Sequence, residues 1–146
     1  MSDENKDRVL ALDLGHKRIG VAVSDQAHAI AQPLCVLKRV GRDQDVAAIG
    51  RLAAEQGVGL IVLGLPRRTD DSLGPEATKT LSFGKRLKRV LSLPVAYVDE
   101  WETTVEAQEV LIAGGASRQR RRQVVDKLAA AIILRRFLDG RGVEES

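Results

Sequence analysis

The sequence predicts an α/β layered domain: a mixed five-stranded sheet, three antiparallel strands followed by two parallel ones, flanked by helices. Three observations predict it. Three strand-like runs come first, joined by links too short for a crossover, which makes them an antiparallel meander. Val58 to Leu65 is then apolar throughout, as a strand covered on both faces must be, with helical patterns before and after it. A long helix with an apolar stripe follows near the C-terminus. With 146 residues the chain suits one domain with a full hydrophobic core.

The first two strands are Arg8 to Gly15 and Ile19 to Asp25, joined by the turn His16-Lys17-Arg18, and the third is Pro33 to Arg39. Asp43 or Asp45 is placed to cap a helix presenting Val46, Ile49, Leu52 and Ala53, which Gly57 ends. The fourth strand, Val58 to Leu65, runs out at Gly64-Leu65-Pro66, and the polar stretch Arg67 to Gly74 reads as a mobile loop. Pro75 suits the first position of the next helix, whose inner face includes Ala77, Leu81 and Leu87. Val95 to Glu100 is the fifth strand; the last two strands enter through right-handed crossovers. Thr103 with Glu106 forms a capping box for a short helix that Gly114-Gly115 stops. Ser117 caps the final helix, which reaches to about Asp139. Residues 1–7 and 140–146 read as loose tails on a single domain spanning residues 8–139.

No apolar run approaches the roughly 20 residues of a membrane-spanning helix, and Met1 to Arg8 is charged rather than signal-like. The single cysteine, Cys35, excludes an intramolecular disulfide and a cysteine-based zinc cluster. A reducing cytoplasm is therefore the expected location, and Cys35 reads as a small buried hydrophobe. Positive charge is clustered at Lys85 to Arg89 and Arg118 to Arg122. The first block reads as a solvated helix face. The second reads as a phosphate contact, because it leads into the helix carrying Asp126.

Asp13, Glu100 and Asp126 stand where apolar elements end or continue. Burying an unpaired carboxylate costs several kcal/mol, so all three need a partner. Asp13 shares a strand face with Val9 and Ala11, and Gly15 beyond it leaves room for close approach. Glu100 closes its strand, with Asp99 pointing to the opposite face; alternation alone leaves open which of the two faces a site. Around the final helix, Ala130, Ile133 and Phe137 fall within about 40° of Asp126, and Arg135 falls opposite. Asp126 therefore looks at the sheet. The competing expectation is an internal salt bridge to Lys17 or Arg18. Grouped carboxylates raise one another's pKa unless a cation intervenes. Oxygen-only ligation suits Mg²⁺ or Mn²⁺ rather than zinc. Two such ions about 3.5–4 Å apart activate a water and stabilise the leaving oxygen of a phosphodiester. Acids beside a basic helix thus point to nuclease chemistry. His16 and His28 read as surface histidines, since neither has spacing that compels a proton-shuttle role.

These residues also carry a family likeness. Leu12-Asp13-Leu14-Gly15-His16-Lys17-Arg18-Ile19-Gly20-Val21-Ala22 resembles the opening motif of the YqgF family. Gly64-Leu65-Pro66, then Val98-Asp99-Glu100 with Thr103-Thr104, then Val125-Asp126-Lys127-Leu128-Ala129-Ala130 with Ile133-Leu134 resemble its later motifs, in the same order. Each is weak singly; four in register, from about Arg8 to Asp139, are specific. The resemblance implies an RNase H-like fold, similar to Holliday junction resolvases, and a pre-16S rRNA nuclease that matures the 5′ end of 16S rRNA. It implies phosphodiester hydrolysis dependent on Mg²⁺ or Mn²⁺, with Asp13, Glu100 and Asp126 as catalytic acids and metal ligands.

The chain departs from the family pattern at His16, usually a small residue, at Asp70-Asp71, usually Asp-Gly, and at Trp101-Glu102, usually Arg-Leu. The last change removes positive charge beside Glu100. Trp101 is placed either to stack on a base or to pack against the sheet edge. The expected partner is nucleic acid, held through Lys17, Arg18, Arg118, Arg120, Arg121 and Arg122: precursor rRNA, within a ribosomal precursor or free, or branched DNA. No membrane partner is expected, and a homodimer is left open. With 3% aromatic residues, recognition by shape and phosphates fits better than reading a single strand. A non-catalytic nucleic-acid-binding domain is a further reading, but it gives three inward acids no purpose. An actin-like phosphotransferase needs a second lobe that 146 residues cannot supply.

Overall fold

The computed structural model describes residues 8–67, 72–100, 118–141 and 143–145. The five expected strands are present as β1 (Arg8–Leu14), β2 (Arg18–Ser24), β3 (Ala31–Lys38), β4 (Val58–Pro66) and β5 (Val95–Glu100). A three-residue strand, β6 (Val143–Glu145), joins them from the segment expected to be a loose tail and pairs antiparallel with β5. The sheet order is β3-β2-β1-β4-β5-β6. β1 is antiparallel to β2, and β2 to β3, while β4 runs parallel to both β1 and β5. β1 therefore lies centrally, with the C-terminal ends of β1, β4 and β5 on one edge of the sheet.

Alternation along the strands divides the core in two. Leu10, Leu12, Ile61, Leu63, Val95 and Tyr97 face helices α1 (Arg42–Gln56) and α2 (Pro75–Leu91), burying Val46, Ile49, Ala77 and Leu87. Val9, Ala11, Ala22, Val62, Ala96 and Val98 face helix α3 (Arg118–Arg136) and bury Ala130, Ile133 and Leu134. Several side chains on this second face are small, which lets α3 lie close to the sheet. Close packing of that kind is what a helix with alanines at its contact line requires.

α1 starts one residue after Gly41 with no side-chain cap, so neither Asp43 nor Asp45 fills that place. Asp45 is buried one turn in and reaches back: its carboxylate accepts from the Val40 backbone N–H at 3.0 Å and from Arg39 Nε at 3.3 Å. Gly57 ends the helix at φ 67°. Pro75 opens α2, and Ala77 and Leu87 are buried on its inner face as expected. The end of α3 passes into a wider turn over Phe137–Arg141. Residues 68–71, the helix expected from Thr103, the Ser117 cap, and Trp101 and Glu102 lie outside the described residues.

Candidate active site

Asp13 is the last residue of β1 on the α3 face, following Val9 and Ala11. In the β1–β2 register it lies opposite Gly20. A side chain at Gly20 would overlap the backbone carbonyl oxygen of Asp126. The bare glycine is what allows α3 to rest on β2 at this point, and it places Asp126 beside Asp13. Gly64 does the same for the third acid. A Cβ there would sit 2.8 Å from Glu100 Oε2 and 2.5 Å from Ile133 Cδ1, so the Glu100 carboxyl lies directly over the bare backbone of β4.

Asp13 and Glu100 are hydrogen-bonded carboxyl to carboxyl, which requires a proton between them. Burial pushes Glu100 up to about 9, and the charge of Asp13 and its hydrogen bond add to that, while Arg136 pulls the other way. Burial also raises Asp13; the Glu100 hydrogen bond opposes this and the charge of Asp126 reinforces it. Asp126 has a different partner. Arg18 Nε donates to its Oδ2 at 2.6 Å, the two side chains being 34% and 22% exposed. The structure brings Asp13 and Glu100 into contact and sets Asp126 in the same cleft, turned toward Arg18. Among the described residues no three acids or histidines are grouped as a ready-made metal cage.

The Asp99 ambiguity has a geometric answer. Asp99 shares its strand face with Val95 and Tyr97, accepts from Arg67 Nε at 2.7 Å, and uses its backbone carbonyl to accept from Arg136 at 3.3 Å. Glu100, on the face of Ala96 and Val98, is the acid that lines the cleft.

That cleft is open, with a volume of about 620 Å³, at the C-terminal ends of β1, β4 and β5. Its walls carry His16 and the cations Arg39, Arg42, Arg67 and Lys79. Lys17 is exposed in the turn after Asp13. Nothing in the local sequence pattern marks Arg39 as part of the site. It ties the site together: Nη1 donates to the Gly15 carbonyl at 2.9 Å, Nε pairs with Asp45, and the guanidinium stacks 5.5 Å above Phe83. Arg67 carried a positional signal, since it follows Gly64-Leu65-Pro66 at the same sheet edge as Asp13. Arg118, Arg120, Arg121 and Arg122 open α3, but their side chains lie outside the described residues. His28 sits in the β2–β3 turn and is not part of the cleft. In the first basic block, Arg86 is half-buried and pairs with Asp43 at 2.5 Å. Cys35 is half-buried in β3, and burial pushes its thiol up.

Chemically, Asp13 and Glu100 hold protons more tightly than free carboxyls do, because burial and mutual repulsion penalise their charged forms. A divalent cation relieves both penalties at once. The set fits a hard ion such as Mg²⁺ or Mn²⁺ once Asp126 leaves Arg18.

Comparison with known proteins follows the same line. Residues 7–140 match the RuvX family, described as Holliday junction resolvase. A protein of Caldanaerobacter subterraneus subsp. tengcongensis named "Putative pre-16S rRNA nuclease" is 44% identical over 133 residues, covering 90% of this chain and 96% of its own. One of the same name from Pelotomaculum thermopropionicum is 47% identical over 136 residues, covering 92% and 88%. Among solved structures, Thermus thermophilus RuvC in complex with a Holliday junction substrate superposes with a TM-score of 0.58 at 14% identity, over 94% of this chain and 99% of that one. A Fowlpox virus resolvase bound to Holliday junction DNA gives 0.52 at 10% identity, over 90% and 97%. At those identities the likeness speaks for the RNase H-like fold alone.

Proposed function

The chain belongs to the RuvX family of Holliday junction resolvases, and on that premise we propose that it is a metal-dependent endonuclease that processes the 5′ end of pre-16S rRNA. The observation that carries this reading is the Asp13–Glu100 carboxyl pair, set with Asp126 in an open, cation-walled cleft at the strand ends. Asp13, Glu100 and Asp126 would hold Mg²⁺ or Mn²⁺. When bound, the metal supplies a water of lowered pKa and offsets charge on the departing oxygen. Holding the ion would require Asp13 and Glu100 both ionised, so the proton between them would pass to solvent. Arg42 and Lys79 in the cleft wall, with Lys17 and Arg18 from the turn and strand after Asp13, would take backbone phosphates, and Arg118, Arg120, Arg121 and Arg122 are proposed as further phosphate contacts. Among the described residues no helix is long and apolar enough to cross a membrane. The proposed setting is the cytoplasm, where ribosomal precursors are processed.

Branched DNA is the second reading, favoured by the description of the family itself. A four-way junction presents two equivalent strands, which would call for a homodimer. Offering precursor rRNA and a four-way DNA junction in Mg²⁺, Mn²⁺ or EDTA separates the two substrates. Asp13→Asn should lower cleavage roughly a thousandfold, the loss expected when several kcal/mol of charge stabilisation disappear. Cleavage persisting in that variant or in EDTA would remove the metal-dependent reading. Binding of either nucleic acid without cleavage would leave the chain a non-catalytic binder.

A further inference from the structure

Of the three acids, Asp126 is the one whose carboxylate receives the Arg18 guanidinium. Its partner Arg18 is two residues before Gly20 on the same face of β2, and the ion pair spans 2.6 Å. The two partners differ in freedom. The backbone of Asp126 is pinned, because α3 presses its carbonyl onto the bare backbone of Gly20. The Arg18 guanidinium rides on a long side chain at the start of its strand, a third exposed, and Asp126 is its one ion-pair partner among the described residues. Asp126 also bears on Asp13 through its charge, so it belongs to the cleft that Asp13 and Glu100 line. Asp13 and Glu100 thus lean on each other, while Asp126 leans on a guanidinium.

We propose that Arg18 is an exchangeable internal counter-ion: it occupies Asp126 until a divalent cation displaces it, and so sets how tightly the site binds metal. This rests on the metal-site reading above. Asp126 stays in place while Arg18 swings away, because helix packing fixes one and solvent exposure frees the other. Arg18 is thus a positioning residue that opposes the metal. A simple structural brace would behave in the opposite sense, since its removal would loosen the acids and weaken metal binding.

The test is Mn²⁺ binding, followed by the electron paramagnetic resonance signal of free Mn²⁺ and by calorimetry, without any nucleic acid. Arg18→Met keeps most of the apolar stem and removes the charge. It should tighten Mn²⁺ binding by about three- to tenfold, the range that a partly exposed charge-assisted hydrogen bond supplies. The gain should vanish when Asp126→Asn is also present, since the two residues act through one contact. Arg18→Lys, which keeps charge but loses the planar fork, should shift binding in the same direction by less, and it serves if the methionine variant folds poorly. Unchanged or weaker Mn²⁺ binding in a folded Arg18 variant overturns the proposal, while the metal-site reading stands so long as wild-type binding is lost in Asp13→Asn. Absence of Asp13-dependent Mn²⁺ binding in both wild type and Arg18→Met overturns the two together.

Discussion

Burial and the neighbouring charge of Asp13 raise the Glu100 carboxyl, and this sets how the protein responds to pH when the acids hold no cation. The folded Glu100 carboxyl is raised from 4.5 to about 9, so the folded state binds more protons than the unfolded one across that interval. Its contribution to stability is complete below the unfolded value and is lost as pH rises through the folded one. In EDTA, the urea midpoint should therefore fall between about pH 5 and pH 9. Glu100→Gln, which still donates to Asp13, should flatten that fall; a variant as pH-sensitive as wild type would show that the shared proton lies elsewhere. At this scale the sequence was partly legible. Asp13 could be assigned to a face by alternation alone. Glu100 and Asp99 could not be told apart, because choosing between them needs to know which face of β5 meets α3. The clue was the small residue: Ala96 belongs with Ala11 and Ala22, on the face a close-packed helix demands, and Glu100 follows Ala96 in phase.

α3 and the two glycines beneath it form the element that assembles the acids. The helical phase of Asp126 was readable, because Ala130 and Ile133 mark the buried line and Phe137 packs beside them. Its ion pair with Arg18 was foreseen only as an alternative to a metal role, since phase gives direction and not partner. Gly20 and Gly64 carried no such signal; a glycine in a strand explains itself only once the helix crossing it is known. Gly20→Ala should force α3 outward at Asp126, costing about 1–3 kcal/mol of stability. It should also reduce cleavage beyond what that destabilisation explains, as the third acid moves from Asp13. Thermal melting beside cleavage at a temperature where the variant stays folded checks both. An active, equally stable variant would mean that the helix does not need this contact.

Across the whole molecule, chain order places the C-terminal ends of β1, β4 and β5 on one edge, so residues separated by nearly ninety positions meet in one cleft. That topology was legible because three strands with short links leave β1 free on one side for the parallel strands to join. β6 was not, because Val143–Glu145 is too short to show alternation and sits in a charged tail. The cationic wall of Arg39, Arg42 and Lys79 was also hidden, since it is drawn from a strand end and two helices that only the fold brings together. The central claim is that the three acids share a divalent cation, and the most direct test needs no substrate. Thermal melting near pH 8 is measured in EDTA and in saturating Mn²⁺, for wild type and Asp13→Asn. A ligand at a hundredfold its Kd stabilises by about 2.7 kcal/mol, worth roughly 2–4 °C per kcal/mol in a domain of this size. Wild type should gain several degrees in Mn²⁺ and Asp13→Asn little or nothing; a wild type that Mn²⁺ does not move, or a variant that it stabilises equally, would contradict the account.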